Sequence, residues 1–300
     1  MPTATPNPGP NPSPSPTPET YPTNPVPPGA QVTTLLSNHG FNEGPVWIPS
    51  LNSLIFTDQK VQLLYRWDAA TGMESVFRSD AKIPNGNILD LNGHLITVEG
   101  FPAKRVGRTN LMTMETTTVA DRFEGKKFNS PNDLVLYKDG SIYFTDPTYG
   151  DGGQRELGFQ GVFRVLASGE VKLITKEFDQ PNGIVFSPDY KTLFVSDSGR
   201  ENIRKFALNE NGEVVSDSVF YAPGNNMGNA FDGMTMDQAG NLYTSGRKGV
   251  TILNPSGSVV AFINVGENTT NVTFGGPDGK TLFITCATTL RKIDLLIPGM

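Results

Sequence analysis

The stretch NSPNDLVLYKDGSIYFTDPTYG, residues 129–150, contains the pattern that decides the fold. A polar pair, Asn132 and Asp133, precedes an apolar strand at residues 134–136, a Lys-Asp-Gly turn and a second strand that ends at Phe144. Short apolar runs joined by a turn that contains Asp and Gly are typical of β-hairpins. The stretch therefore predicts a strand–turn–strand unit with a polar entrance.

Six segments of the chain repeat this arrangement, and each begins with a polar residue that we call its anchor residue. The anchor residues are Glu43, Asn85, Asn132, Asn182, Asp232 and Asn271. Their spacings of 42, 47, 50, 50 and 39 residues match the length of a four-stranded propeller blade. Two more apolar strands follow each hairpin. We therefore expect an all-β fold, a six-bladed β-propeller with four-stranded antiparallel blades, over residues 31–300.

The ring can close either with a strand from the start of the propeller or in some other way, and we favour the first. We expect residues 32–36 to complete the last blade by pairing with the strand at residues 290–296. An unpaired edge between the first and last blades would favour aggregation.

Residues 1–30 differ in composition from the rest, with Pro at nearly every second or third position and almost no large apolar side chain. Such a segment cannot bury enough surface to offset its ordering entropy, so it predicts a disordered Pro-rich tail or linker. The tail lacks the basic start and apolar run of a signal peptide. It slightly favours a periplasmic or extracellular location over a cytoplasmic one.

The remaining composition is that of a soluble globular protein, with 37% hydrophobic and 18% charged residues. No stretch is long and apolar enough to predict a transmembrane segment. The net charge of -6, with scattered Lys and Arg, argues against a nucleic-acid partner. We expect a monomer or a weak dimer.

The first strand of each propeller blade lines the central channel, so the anchor residues should converge there. Glu43, Asn132, Asn182 and Asp232 supply only oxygen ligands, which suit a hard divalent cation. Ca²⁺ is the first expectation, with Mg²⁺, Mn²⁺ or Zn²⁺ as alternatives. A local turn-capping role is the competing interpretation of any single anchor residue. Two unpaired carboxylates in a channel would repel each other, however, and a cation compensates them.

The residues resemble the SMP-30/gluconolactonase/luciferin-regenerating-enzyme-like six-bladed propellers over residues 40–290. The motifs that carry the resemblance are EGPVW from Glu43, NSPND from Asn129, FTDPTYG from Phe144, PNG from Pro181, FSPD from Phe186 and DGM from Asp232. The NSPND and FTDPTYG forms resemble the bacterial gluconolactonase branch. Animal members have an Arg at the position of Ser130, so their mode of holding a sugar lactone does not transfer directly.

The resemblance implies a lactone hydrolase that opens a sugar lactone such as glucono-1,5-lactone to the hydroxy acid. It implies that Glu43, Asn182 and Asp232 bind the cation. It also implies that Asn132 is a further ligand, or holds substrate and water as a catalytic residue. Asp232 would also be the general base, since a carboxylate beside the cation stays ionised and lies within reach of the attacking water.

Substrate contacts are expected from loops at the channel mouth. The longest insertion, residues 148–160, carries Tyr149 and Glu156 and predicts either a sugar-binding rim or an inconsequential solvated loop. Arg105, in the turn at residues 102–108, is a second candidate for rim contacts. Asp133 is a further candidate at the substrate, although a supporting role behind Asn132 fits the alternation of strand side chains better.

Two other functions fit the same features. The first is a calcium-dependent phosphotriesterase, because related propellers use a similar set of Glu, Asn and Asp ligands. The second is a non-catalytic binding propeller stabilised by a cation. An acid-release assay with lactones and a phosphotriester, before and after chelation, separates the three.

Overall fold

The structure, a computed structural model, describes residues 20–224 and 231–300, so the first nineteen residues of the predicted tail lie outside the described part. The described residues form six four-stranded antiparallel sheets, one two-stranded hairpin and one short 3-10 helix, Pro49–Leu51. The six sheets are the blades of a ring. This confirms the predicted six-bladed β-propeller.

The strands are numbered in chain order, beginning with β1 (Thr33–Leu36), which belongs to blade 6. Blade 1 contains β2 (Asn42–Ile48), β3 (Ser53–Asp58), β4 (Leu63–Asp68) and β5 (Glu74–Arg78). Blade 2 contains β6 (Pro84–Leu89), β7 (Leu95–Glu99), β8 (Arg105–Thr109) and β9 (Thr116–Ala120). The hairpin β10 (Arg122–Phe123) and β11 (Lys126–Lys127) follows. Blade 3 contains β12 (Leu134–Leu136), β13 (Ile142–Asp146), β14 (Gly161–Val165) and β15 (Val171–Thr175).

Blade 4 contains β16 (Pro181–Phe186), β17 (Thr192–Asp197), β18 (Asn202–Leu208) and β19 (Val214–Tyr221). Blade 5 contains β20 (Met234–Met236), β21 (Leu242–Gly246), β22 (Gly249–Leu253) and β23 (Val259–Asn264). Blade 6 contains β24 (Thr269–Gly275), β25 (Thr281–Cys286), β26 (Leu290–Asp294) and β1. In each of blades 1–5 the strands pair in chain order, so four consecutive antiparallel strands form the sheet.

The core lies between neighbouring blades. Between blades 2 and 3, for example, Val98 of β7 belongs to the same buried cluster as Phe144 and Phe163. The Phe128 and Phe144 rings pack edge to face with centroids 5.0 Å apart. Burying one such large apolar side chain contributes about 1.5–3 kcal/mol, and the alternation of strand side chains repeats this packing around the ring.

The ring closes between blade 6 and blade 1. Strand β1 pairs with β26 in antiparallel register, with Thr33 opposite Lys292 and Leu36 opposite Leu290. The innermost strand of blade 1, β2, contacts both β6 and β24. The predicted closure is therefore confirmed, and the otherwise exposed edge of β26 is covered by a strand from the start of the propeller.

Residues 20–30, which the composition assigned to the tail, contact the propeller. The Tyr21 hydroxyl donates to Gln238 Oε1 at 3.0 Å, and Leu296 N donates to Pro25 O at 2.9 Å. Val26 and Ala30 pack against the core between blades 5 and 6. These side chains are small, but they cover apolar surface that blade 6 would otherwise expose. The described part of the chain contains no helix long and apolar enough to span a membrane.

Candidate active site

One end of the central channel opens into a cavity of about 300 Å³. Five of the six anchor residues line it: Glu43, Asn85, Asn132, Asn182 and Asp232. The other described lining residues are Phe41, Gln59, Ile83, Ser130, Pro131, Tyr149, Gly150 and Ser198. The structure thus brings all four of the residues expected to bind a cation to one cavity.

Hydroxyl groups of the preceding blade hold the backbone of the anchor residues. Thr57 Oγ1 donates to Asn85 O at 3.2 Å. Thr145 Oγ1 donates to Asn182 O at 2.8 Å, and Ser196 Oγ donates to Asp232 O at 3.1 Å. Each of these hydroxyls lies on the second strand of its blade. The position of an anchor residue therefore depends on its neighbouring blade as well as on its own.

The glycine that follows an anchor residue allows neighbouring inner strands to approach closely. A Cβ atom on Gly183 would lie 2.2 Å from Asp232 O, and one on Gly233 would lie 2.0 Å from the Asn271 side chain. No side chain fits in this space. The glycines of the Asn-Gly and Asp-Gly pairs therefore allow the inner strands to lie close together around a narrow channel, in addition to permitting a local bend.

Burial and neighbouring negative charges raise the pKa of two carboxyl groups in the channel. Burial, followed by the negative charges of Asp232 and Asp133, raises the pKa of Glu43 well above its ordinary value. Burial and the charge of Asp133 raise the pKa of Asp232 to about 8. None of the described residues that line the cavity is a Lys or an Arg. The described part of the cavity therefore offers no protein cation that would keep these carboxylates ionised.

The donors at the cavity fit a hard divalent cation. Glu43 and Asp232 supply carboxylate oxygens, and Asn132 and Asn182 supply carboxamide oxygens, which Ca²⁺ and Mg²⁺ prefer. The Asn132 side chain makes no hydrogen bond to any other described residue, so its amide is free to bind a ligand. No group of three His, Cys, Asp or Glu side chains forms a metal-binding cluster in the described part of the chain. The set is therefore a mixture of two carboxylates and two carboxamides.

Asp133 lies deeper in the channel than the cavity residues. It lines the cavity at the opposite end, of about 330 Å³, together with the sixth anchor residue, Asn271. Its carboxylate accepts from Leu134 N at 2.9 Å and from Asn271 Nδ2 at 3.5 Å. Because consecutive residues of an extended chain point in different directions, Asn132 lines the cavity that contains Glu43 and Asp232, and Asp133 does not.

Of the other three residues expected to contact the substrate, one lines the cavity and two do not. Tyr149 lines the cavity, and its hydroxyl donates to Gln180 Oε1 at 2.7 Å. The Arg105 guanidinium donates to Glu99 at 3.2 Å, and Glu156 Oε2 accepts from Lys127 N at 2.8 Å. Arg105 and Glu156 are not among the described residues that line the cavity. Both are engaged elsewhere in the second and third blades.

The insertion at residues 148–160 is bound to both neighbouring blades. Phe101 N donates to Gly150 O at 3.1 Å, and the Lys104 ammonium donates to Gln154 O. On the other side, Gln160 Nε2 donates to Asp179 O. The insertion therefore forms a fixed wall of the cavity mouth, with Tyr149 as the side chain that reaches inside.

Residues two positions before an anchor residue line the cavity, and the sequence analysis did not identify them. Phe41, Ile83 and Ser130 hold this position in blades 1, 2 and 3. The repeat register could have found them, since each has the same offset from its anchor residue. Ser198 also lines the cavity and accepts a hydrogen bond from Asn182 Nδ2 at 3.1 Å.

Comparison with known proteins agrees with this geometry. A gluconolactonase of Zymomonas mobilis is 30% identical over 289 residues, covering 87% of this chain and 80% of the relative. A pentonolactonase of Haloferax volcanii is 26% identical, covering 82% and 81%. A crystal structure of a putative gluconolactonase superposes with a TM-score of 0.86 at 33% identity, covering 92% of this chain and 96% of that one.

A family model also matches the propeller. The model of the SMP-30/gluconolactonase/LRE-like region matches residues 41–288, which include all six anchor residues. The match covers most of the chain. The chain therefore belongs to the SMP-30/gluconolactonase/LRE-like family.

Proposed function

We propose that this protein is a lactone hydrolase that opens a sugar lactone of the glucono-1,5-lactone type to the hydroxy acid. A divalent cation, Ca²⁺ first, binds at Glu43, Asn132, Asn182 and Asp232. The gluconolactonase and pentonolactonase relatives support the lactone as substrate class. The mixed carboxylate and carboxamide set in one cavity supports the cation.

The observation that carries the proposal is the placement of two carboxylates and two carboxamides at one cavity with no Lys or Arg among its described lining residues. Burial and the negative charges of Asp232 and Asp133 raise the pKa of Glu43. Burial and the charge of Asp133 raise the pKa of Asp232. If these positions only packed the core, apolar side chains there would make the protein more stable than carboxylates do. A bound divalent cation offsets the repulsion and restores the ionised form of both groups.

The cation, when bound, supplies Lewis-acid polarisation of the lactone carbonyl. Asp232 accepts the proton of the water that attacks the carbonyl carbon, because its carboxylate faces the same cavity. Asn132 orients the lactone or the attacking water with its free carboxamide. The ring C–O bond then breaks, and the leaving ring oxygen takes the proton back from Asp232, which regenerates the carboxylate. The product is the hydroxy acid.

The wall of the cavity supports a substrate of sugar size. Tyr149 and Phe41 offer aromatic surface to the C–H face of a ring, while Ser130 and Asn85 offer hydrogen-bonding groups. The cavity of about 300 Å³ is at the lower end of the range for small-molecule sites. This size is compatible with a single lactone ring.

A pH-indicator assay tests the activity directly. Purified protein is given glucono-1,5-lactone, a pentonolactone and an aryl phosphotriester, each with Ca²⁺, after chelation and after Ca²⁺ is restored. We expect acid release from the lactones that chelation abolishes and Ca²⁺ restores. A protein that binds Ca²⁺ but hydrolyses only the triester, or nothing, contradicts the lactonase assignment.

The Asp232→Asn variant tests the general base. The carboxamide retains an oxygen ligand but cannot accept the proton, so we expect turnover to fall by roughly 10²–10⁴-fold. Much of the Ca²⁺ affinity should remain when titrated by calorimetry. An active Asp232→Asn enzyme would remove Asp232 from this role.

A further inference from the structure

Three buried aspartates end the second strand of their blades and bind the loop that precedes the inner strand of the same blade. We call Asp58, Asp146 and Asp197 the loop-binding aspartates. Asp146 accepts from Asn129 N and from Ser130 N, each at 2.8 Å and each with a different oxygen. Each carboxylate thus holds two consecutive backbone N–H groups.

The other two loop-binding aspartates make the same pair of contacts. Asp58 accepts from Gly40 N at 2.7 Å and from Phe41 N at 3.0 Å. Asp197 accepts from Asp179 N and Gln180 N, both at 3.0 Å. All three side chains are almost completely buried. The repetition of one geometry in three blades shows that it is a built feature of the fold.

The register of these contacts links them to the cavity. The second bound N–H belongs to Phe41, Ser130 or Gln180, and each is two residues before an anchor residue. Those anchor residues are Glu43, Asn132 and Asn182. They are three of the four residues assigned to the cation.

Among the residues that the structure describes, the remaining blades do not show this arrangement. The second strand ends at Glu99 in blade 2, where Arg78 and Arg105 bind the carboxylate, and at Cys286 in blade 6. The anchor residues of these two blades, Asn85 and Asn271, are not in the proposed ligand set. In blade 5 the strand ends at Gly246, and hydroxyl and backbone contacts hold Asp232 instead.

Hydrogen bonds to a carboxylate are shorter and stronger than those between neutral groups, and two of them fix both position and orientation. Groups behind a metal ligand commonly set the direction in which the ligand points. A loop held at two consecutive N–H groups cannot rotate, so the side chain two residues later enters the channel along a fixed direction.

We propose that Asp58, Asp146 and Asp197 are positioning residues that pre-orient Glu43, Asn132 and Asn182 for the cation. This inference rests on the proposed function, because it requires that these three residues bind the cation. It assigns a role to the Asp of each FTD or VSD sequence, which touches neither the cation nor the substrate.

The test compares Asp146→Asn and Asp197→Asn with Asp237→Asn. Asparagine keeps the shape and one acceptor oxygen, so one N–H of the loop loses its partner. Asp237 is an equally buried aspartate that accepts from Ala239 N and Asn241 N at 3.0 and 2.9 Å, at the far end of blade 5. Calorimetry measures Ca²⁺ affinity, thermal unfolding without Ca²⁺ measures stability, and kinetics separate kcat from KM.

We expect Asp146→Asn and Asp197→Asn to lower Ca²⁺ affinity by about 10-fold to 100-fold. At saturating Ca²⁺ their kcat should return towards that of the unmodified protein. Asp237→Asn should lower the unfolding temperature and leave Ca²⁺ affinity unchanged. The Asp58→Asn variant tests the same role at Glu43, and we expect the same loss of Ca²⁺ affinity.

Unchanged Ca²⁺ affinity in the loop-binding variants, with Ca²⁺ bound normally by the unmodified protein, overturns this inference alone. An unmodified protein that binds no Ca²⁺ overturns the proposed cation site and the inference with it. If the three loop-binding variants fail to fold while Asp237→Asn folds, the aspartates serve the fold itself and the positioning role is wrong.

Discussion

Adjacent residues of one strand entrance serve different ends of the channel. Asn132 lines the cavity with a free carboxamide, and Asp133 lines the opposite end, where it contacts Asn271. The carboxyl group of Asp133 nevertheless acts on the cavity, because its charge raises the pKa of Asp232. For single residues, the direction in which a side chain points decides its place in the site as much as its chemical identity does.

Tyr149 provides the first prediction. In Tyr149→Phe the hydrogen bond to Gln180 is lost while the aromatic surface remains. We expect kcat/KM for the lactone to fall by roughly 3-fold to 10-fold, since one neutral hydrogen bond contributes about 0.5–1.5 kcal/mol. We measure kcat/KM for both Tyr149→Phe and the control Tyr221→Phe. Because Tyr221 lies in the outer strand of blade 4, the control shows whether loss of any tyrosine hydroxyl lowers kcat/KM.

The pH dependence of the same variant provides the second prediction. Burial raises the pKa of Tyr149 to about 12, so the phenol keeps its proton at every working pH. We therefore expect the pH–rate profiles of Tyr149→Phe and of the unmodified enzyme to coincide in shape between about pH 5 and about pH 9. A displaced limb in the variant would show that the hydroxyl takes part in proton transfer.

The inner strands are the elements that create the cavity, and their close approach sets its width. The anchor residue and the glycine after it lie where neighbouring inner strands meet. Hydroxyls of the second strands hold the same backbone from the preceding blade. Because the inner strands contact one another closely, a displacement of one inner strand also displaces the anchor residue of the next blade.

Gly183→Ala provides the third prediction. The added methyl group would lie 2.2 Å from Asp232 O, so the inner strands of blades 4 and 5 must separate. We expect a loss of stability of about 1–3 kcal/mol, the usual cost of overpacking, with weaker Ca²⁺ binding. Chemical denaturation and calorimetry measure both quantities.

Gly158→Ala is the matched control. An added methyl group at Gly158 meets nothing within 4 Å, and we expect unchanged stability and Ca²⁺ affinity. A Gly183→Ala protein as stable as the control would show that the inner strands can separate without cost.

At the scale of the whole molecule, both ends of the described chain lie away from the cavity. Tyr21 contacts Gln238 in the turn between β20 and β21, and Met300 N donates to Met236 O at 3.1 Å. This turn lies at the end of the inner strands opposite the anchor residues. Strand β1, which closes the ring, is the outermost strand of blade 6. The contacts that close the ring and the residues that line the cavity therefore belong to different parts of the propeller.

Truncation provides the fourth prediction. Removal of residues 1–19 should leave the unfolding temperature and kcat/KM unchanged, because residues 20–36 retain their contacts with blade 6. Removal of residues 1–36 also deletes β1 and the packing of Val26 and Ala30. We expect a lower unfolding temperature and aggregation through the exposed edge of β26. Differential scanning calorimetry and light scattering measure the two effects. A loss of activity when only residues 1–19 are removed would contradict the expectation that activity does not depend on them.

The sequence alone determined the blades, their number and the closure of the ring. Strand alternation and turn residues are local, and six copies of one unit leave little choice of architecture. The repeat register also identified Glu43, Asn132, Asn182 and Asp232 as residues that meet, because equivalent positions of a ring face the same axis.

Only the tertiary structure decided which other residues join them. Arg105 and Glu156 looked suitable at the rim, but ion pairs and backbone contacts hold them elsewhere, while Phe41 and Ile83 line the cavity. Loop paths between blades set these positions, and no local pattern encodes a loop path. The two N–H groups that Asp146 binds are likewise 16 and 17 residues away in sequence, so their contact exists only once the blade has folded.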